Sequence, residues 1–441
     1  MTKDSFNSLL RNYVKNHISP TESERKFVSL IYDSLKTPLE NSCIQVGSYP
    51  RFTAIRPLHD LDVLYILGNW DENNHNASDT LKILHSKMLK EYKNPTKYTL
   101  IISLQSHSIN LLYKDSKEEI FSVDIVPAYI FSKNEFNDDI YIVPEVIRQK
   151  HGINRTEYYQ RLLTEHKEMD WIISDPRGYI EVAKRVNERN DDFRRTVKFI
   201  KAWKYSCKQK NDDFSLKSFH IEQVITNYFQ ENQSIEIFDC IFQFFVNLPE
   251  IITKPQIKDR ANNIKYIDEY LTDLTKGQKD RIIEARDCFL IKLEYFSEED
   301  TIDKLIEACS YERVSYAEQF LFDFGIPVFL DPKLSFQISG YVLPRDRGYM
   351  PYFLDRIGLI KIDRKIQFRI KGTTPNVDLF KWKVRNDKSS KEPRGEITDH
   401  HTKNDPETSQ YVGSHYVECY AILKNVCVAR ARQNVKLERT Y

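Results

Sequence analysis

Apolar and polar positions change period twice along this chain. Near the start, Thr21-Glu22-Ser23-Glu24 has the form of a capping box, and Phe27, Leu30, Ile31 and Leu35 follow at helical spacing. The spacing predicts an amphipathic helix over about 21–35. The runs 60–67, 98–104, 108–113 and 120–130 are rich in β-formers and predict a small mixed sheet. From about Asn154 to Phe322 apolar residues recur at three and four spacing with almost no glycine, which predicts a helical lobe. Beyond Phe324-Gly325-Ile326-Pro327 a period of two returns in 366–370, 380–384 and 415–423, the pattern of a β-sandwich. The polar span from Asn386 to Gln410 reads as a long loop within it. The chain is therefore expected to be α+β, in three segments: 1–153, 154–322 and 323–441.

At 441 residues the chain exceeds what one core normally covers, so several cores are required. Apolar residues make up 41% and charged residues 29%, an ordinary globular balance that excludes wholesale disorder. A net charge of +1 leaves no global field to draw the chain onto DNA or anionic membrane, so any phosphate-binding charge is local. No window approaches the roughly 18 apolar residues of a membrane span, and the first residues lack a signal-peptide core; the expectation is a cytoplasmic protein with no direct membrane insertion. Seven scattered cysteines suit reduced thiols, and the absence of a CxxC pair argues against structural zinc. His400, His401 and His415 have no cysteine or acid at ligand spacing and are not expected to hold metal.

The chemistry concentrates in the first segment. Asp60 and Asp62 lie two apart on a predicted strand, so both carboxylates project from one face while Leu61, Val63 and Tyr65 face the other. Asp124 sits in Phe121-Ser-Val-Asp-Ile-Val-Pro127, a hydrophobic run where an acid is costly unless it meets a cation or a partner. Three such acids suit two hard divalent ions, Mg²⁺ or Mn²⁺. Upstream, Gly47 lets backbone N–H groups approach a phosphate and Ser48 adds a hydroxyl donor.

The string from Val46 to Val63, with Gly47-Ser48 at its head, Thr53-Ala-Ile-Arg-Pro57 inside it and Asp60-Leu-Asp62 at its end, resembles the signature of polymerase-β-like nucleotidyltransferases. With Val123-Asp-Ile-Val-Pro-Ala128 it is similar to the cGAS/DncV-like enzymes, the CD-NTases of bacterial anti-phage defence. The resemblance implies a catalytic core over 1–153, a helical lobe over 154–322 completing the cleft, and metal ligation by Asp60, Asp62 and Asp124. Two helical segments, 193–204 and 215–222, resemble those that contact the triphosphate, which assigns Lys201, Lys217 and Ser218 to substrate. The same lysines can equally snorkel from a core helix.

From about Phe324 the chain resembles the AGS-C sensor domain fused to such enzymes, in 382–386, 394–397, 407–413 and 415–420. Trp382 could stack on a base, with Arg385 or Arg394 holding phosphate, or could be a core residue of the sandwich. The chain ends in Arg439-Thr440-Tyr441. The nucleotidyltransferases of Hailong defence systems are similar in joining this core to such a domain, and they build short single-stranded DNA oligomers primed by a C-terminal tyrosine, a role this resemblance would give Tyr441. The expected activity is template-independent transfer from nucleoside or deoxynucleoside triphosphates, giving an oligonucleotide that controls a separate effector, whether membrane-bound or not; an oligomeric enzyme is compatible with this. Alternatives are a cyclic di- or trinucleotide synthase, a toxin that nucleotidylates tRNA or protein, and an inactive ligand-binding module.

Overall fold

The structure is a computed structural model, and it describes residues 1–105, 107–146, 169–344, 352–354, 359–399 and 406–439. They divide into two compact units. One comprises 10–241 and 250–278, the other 1–9, 242–249 and 279–441. The sequence suggested three segments. In the structure the strand that follows residue 153 returns to the sheet formed by the first segment, and the helices after it up to residue 241 fall in the same unit as that sheet.

The first unit is built on a seven-stranded sheet. β1 (Cys43–Val46), β2 (Asp60–Asn69), β5 (Glu118–Lys133), β4 (Ile109–Asp115) and β3 (Thr99–Leu104) lie in that order, and β6 (Asp139–Val146) pairs with β5 and with β7 (Met169–Ser174). Among the described residues of this sheet, only the β2–β5 pairing is parallel. β7 lies within a stretch whose sequence texture is helical.

Apart from α1 (Lys3–Tyr13), two helices precede the central strands or interrupt them, α2 (Glu22–Lys36) and α3 (Ala77–Glu91). α2 starts where the capping box put it: the Thr21 hydroxyl accepts from the Glu24 N–H, and the Glu24 carboxylate accepts from the Thr21 N–H. Val28, Ile31 and Leu35 of α2, with Leu81, Leu84 and Met88 of α3, pack on Leu61, Val63, Leu111, Val123 and Ile125 of the sheet. That packing claims the odd positions of β2. By the two-residue period of a strand, Asp60 and Asp62 are left on the opposite face.

Across that face run α4 (Pro176–Arg189), α5 (Asp192–Lys210) and α6 (Ser218–Glu231), and α7 (Ile237–Ile251) follows. The stripe Phe193, Val197 and Ile200 is wholly buried, which fixes the rotation of α5 and hence the direction of its lysines.

The second unit contains α8 (Lys276–Glu294), of which 279–294 belong to it, and the short α9 (Ile302–Ile306). Its strands are β8 (Gln337–Val342), β9 (Tyr352–Phe353), β10 (Ile360–Lys361), β11 (Lys365–Lys371), β12 (Leu379–Arg385), β13 (Ile397–Thr398), β14 (Glu407–Thr408), β15 (Gly413–Leu423) and β16 (Val426–Glu438). They form one sheet in the order β10-β16-β15-β12-β13 and another in the order β14-β11-β8-β9. Ile338, Ile366 and Phe368 of one sheet share a core with Trp382, Val417, Cys419 and Val435 of the other, so this is a sandwich. The span 386–410, expected as a loop, contributes the two short strands β13 and β14.

One expectation is corrected here, and one choice left open is decided. Cys288 and Cys309 form a disulfide with Cα atoms 5.9 Å apart, so not all seven cysteines are free thiols. The Lys292 ammonium, bonded to the carbonyls of Lys304 and Glu307, holds α8 beside the segment that carries Cys309. Trp382 is a core residue, 5% exposed, which removes it from base stacking. No helix among the described residues is long and apolar enough to cross a membrane.

Candidate active site

The three acids meet across the parallel β2–β5 pairing. Asp62 of β2 is the register partner of Asp124 on β5, and Asp60 pairs with Ser122. Paired residues of neighbouring strands share a face, so all three carboxylates rise from the same side of the sheet. Val46, one residue before Gly47, pairs with Asp62 from the other flank.

Gly47 closes over this position. Its φ is +74°, and a Cβ built there would lie 1.8 Å from Asp62 Oδ2. Both the left-handed backbone and the approach to the carboxylate require glycine. The turn continues through Ser48, whose carbonyl accepts from the Thr53 N–H at 3.0 Å. Gly47→Ala is therefore expected to displace the Asp62 side chain and add left-handed strain of roughly 1 kcal/mol. Nucleotide incorporation should fall at least about tenfold while the melting temperature drops by only a few degrees, as incorporation assays and calorimetry would show.

The surroundings of Asp62 disfavour its charged form. Burial first, then the charges of Asp60 and Asp124, push its carboxyl up to about 7, against the opposing pull of Arg51 and Lys201. Asp124 is held by neighbours: Asn110 Nδ2, directly across on β4, donates to its Oδ1 at 2.9 Å, and the Ser108 hydroxyl does so at 3.4 Å.

Hard oxygen donors and the mutual repulsion of three carboxylates fit a divalent cation. As they stand the side chains do not form a closed cage, and among the described residues no three His, Cys, Asp or Glu groups converge on one metal position. Part of the reason is local, since Asp62 Oδ2 is turned against Gly47 and Asp124 Oδ1 is taken by Asn110.

The lysines expected at the triphosphate stand in different places. Lys201 is buried, and its ammonium donates to the Thr53 carbonyl at 2.9 Å. Burial lowers its pKa, Glu222 and Asp60 counter that, and the charges of Arg51 and Lys204 add to it. Lys217 is exposed at the start of α6, with its ammonium 5.0 Å from the centre of the Tyr270 ring, and Ser218 is the first residue of that helix. Tyr441, His400 and His401 lie outside the described residues. His415 binds the Tyr411 carbonyl through Nε2 and accepts from the Asp387 N–H through Nδ1, so both its ring nitrogens are used within the protein. Arg385 is paired with Glu318, and Arg394 with Glu396 and Glu407.

One constellation was not anticipated from the sequence. Glu222, on the buried face of α6, accepts from Arg51 Nε and from the Thr53 hydroxyl at 2.8 Å. Burial alone would raise its carboxyl; Arg51, Lys201 and these hydrogen bonds outweigh it and hold the pKa low. The clue in the sequence was an acid set among Ile221, Val224 and Ile225 on one helix. At the mouth of the site, His59 Nε2 and the Tyr205 hydroxyl are 2.8 Å apart with their rings stacked. Lys204, one residue earlier on α5, has its pKa lowered by burial and by Lys208, with Asp60 acting in the opposite sense.

Residues 316–438 match the family described as the adenylyl/guanylyl and SMODS C-terminal sensor domain, AGS-C. This match joins a sensor domain to a core with paired acids under a Gly-Ser turn. The chain is 23% identical over 263 residues to a probable cyclic nucleotide synthase of Bacillus cereus (strain VD146), covering 51% of this chain and 71% of the relative. Among solved structures it is similar to CdnC of E. coli MS115-1 with ATP, at 16% identity and a TM-score of 0.47, over 68% of this chain and 94% of that one. It is also similar to the CD-NTase CdnG of Bradyrhizobium diazoefficiens in complex with GTP, at 9% identity and a TM-score of 0.47, over 69% of this chain and 97% of that one.

Proposed function

We propose that the enzyme joins nucleoside or deoxynucleoside triphosphates without a template into a short oligonucleotide that controls a separate effector, as a component of anti-phage defence in the cytoplasm. The observation that carries the reading is the register of Asp62 with Asp124 beneath Gly47. An acceptor hydroxyl attacks the α-phosphorus, the bond to the bridging oxygen of the leaving pyrophosphate breaks, and the hydroxyl proton passes to a carboxylate. Asp124 suits that proton, because Asn110 fixes one of its oxygens and leaves the other. Asp60, Asp62 and Asp124 would hold Mg²⁺ or Mn²⁺, which supplies Lewis-acid stabilisation of charge on the phosphate oxygens. Gly47 and Ser48 would cradle the triphosphate with Lys217 and Ser218, and Lys201 would join them by exchanging the Thr53 carbonyl for a phosphate oxygen.

For the product we favour a linear DNA oligomer begun on the Tyr441 hydroxyl, since a tyrosine hydroxyl can serve as the nucleophile where no primer strand exists. A cyclic di- or trinucleotide is the second reading, favoured by the description of the Bacillus cereus relative as a probable cyclic nucleotide synthase. The deciding experiment incubates the full-length protein with Mg²⁺ and each labelled triphosphate, digests it with protease and analyses peptides and small molecules by mass spectrometry. Nucleotides on the Tyr441 peptide, lost in Tyr441→Phe, are the expected result. Cyclic products insensitive to that substitution would replace priming with second-messenger synthesis, label on added tRNA or protein would identify a toxin, and absence of turnover would reject the enzymatic reading.

A further inference from the structure

A second concave site lies within the same unit as the catalytic acids, between residues 11–19 and the N-terminal half of α5. It is a cleft of about 430 Å³, and five cationic side chains line it: Arg11, Lys15, Arg194, Arg195 and Lys198. The local carboxylates are already engaged. Arg11 binds Asp192 at 2.6 Å and Glu236 at 3.3 Å, and Arg195 binds Asp191 at 3.3 Å and Asp192 at 3.1 Å.

Lys198 is left without such a partner. Its ammonium is half-buried and donates to the Ser19 hydroxyl at 3.1 Å. Burial first, then the positive charges of Arg25, Arg194, Lys201 and Arg195, bring its pKa down to about 8. Lys15 is exposed at the rim. A cation set inward among cations has no structural gain of its own; an anion arriving from solvent would supply the missing counter-charge.

We propose that this cleft binds a nucleotide bearing at least two phosphates, at a site separate from the catalytic carboxylates. Its volume falls in the range of small-molecule sites. Asn12 and Asn187 add amide groups to the lining, able to hydrogen-bond a sugar or base. Concavity and the net charge of +1 favour a compact ligand over duplex DNA, which asks for an extended basic stripe. The cleft is also wired to the catalytic turn: Arg194 Nε donates to the Arg51 carbonyl at 2.9 Å, and Arg51 holds Glu222 beside Lys201. Occupancy would thus be felt at the residue whose charge acts on Asp62.

The test uses the full-length protein in EDTA, where the catalytic acids have no divalent ion with which to recruit a phosphate, and measures binding of ADP and of inorganic tripolyphosphate by calorimetry. Both are expected to bind. Lys198→Met should weaken binding at least about tenfold, as should Lys15→Glu combined with Arg195→Glu, while Asp62→Asn leaves it within about twofold. The rim pair decides the matter should Lys198→Met fail to fold. Absence of binding at millimolar ligand, binding lost in Asp62→Asn but not in the cleft variants, or binding confined to duplex DNA would each overturn the proposal.

Discussion

Asp62→Asn should abolish nucleotide incorporation, by at least about a thousandfold, and at the same time make the metal-free protein more heat-stable at pH 8. The two effects have one cause. Gathering three carboxylates around a part-buried site is unfavourable until a cation arrives, and Asp62 bears most of that cost, its carboxyl raised from 3.8 to about 7 by burial and by Asp60 and Asp124. A folded-state pKa above the unfolded one means that the folded form holds its proton more tightly. The contribution of this group is most favourable below about pH 4, declines as pH rises, and is lost once pH passes the folded value near 7. Asparagine stays neutral throughout, so its advantage should be absent at pH 4, grow between pH 4 and 8, and level off above. The span corresponds to at most about 4 kcal/mol, and to a rise of roughly 4–10 °C in melting temperature once relaxation is allowed for. Saturating Mg²⁺ should stabilise the wild type and narrow the difference. Melts by calorimetry across pH, with and without EDTA, test this; a variant less stable than the wild type at pH 8 would show that Asp62 has a structural partner rather than a repulsive surrounding.

The site was legible in the sequence where its logic is local. Asp60 and Asp62 share a face because strands repeat every two residues, and Leu61 between them and Val63 after them are buried as that period demands. Asp124 could be picked out because an acid in a hydrophobic run requires a reason, although its register with Asp62 is a non-local fact that no spacing encodes. Gly47 was read as giving room for phosphate; the structure adds that it gives room for Asp62 itself. Non-local partnerships were out of reach. Lys201 was placed one position off the apolar stripe of α5, which is correct, but its bond to the Thr53 carbonyl spans 148 residues. The pairing of Arg51 with Glu222 spans 171. The same limit hid the bridge between Cys288 and Cys309 and the return of β7 to the sheet. In the sandwich, alternation located β11, β12 and β15, and it offered Trp382 both a core role and a ligand role; only the facing sheet, with Ile338 and Phe368, decided between them.

Glu222→Ala should destabilise the protein by about 3–5 kcal/mol, because it leaves Arg51 and Lys201 buried without their counter-charge. The residues involved hold together pieces of chain that are distant in sequence. Arg51 and Thr53 belong to the loop between Gly47 and Asp60, Glu222 to α6 and Lys201 to α5. Removing the carboxylate also frees the Thr53 hydroxyl, so the turn that presents Gly47 loses two of its anchors. Incorporation should therefore fall even at temperatures where the variant is folded. The pH dependence runs opposite to that of Asp62. Glu222 is held below its ordinary value by Arg51 and Lys201, so its contribution is fully present above about pH 4–5 and is lost as pH falls through the lower folded value. The wild type should lose this stabilisation on acidification and the variant should not, so their melting temperatures converge toward low pH. Replacing both partners, Arg51→Met with Glu222→Leu, should recover the part of the stability owed to Arg51 but not the activity, since a packed apolar pair removes that uncompensated charge, leaves the one on Lys201 and does not restore the cation that acts on Asp62. A double variant as unstable as Glu222→Ala would mean that the hydrogen-bond geometry at Thr53, rather than charge compensation, holds the loop; a Glu222→Ala protein within about 1 kcal/mol of wild type would mean that the network does not hold the loop at all.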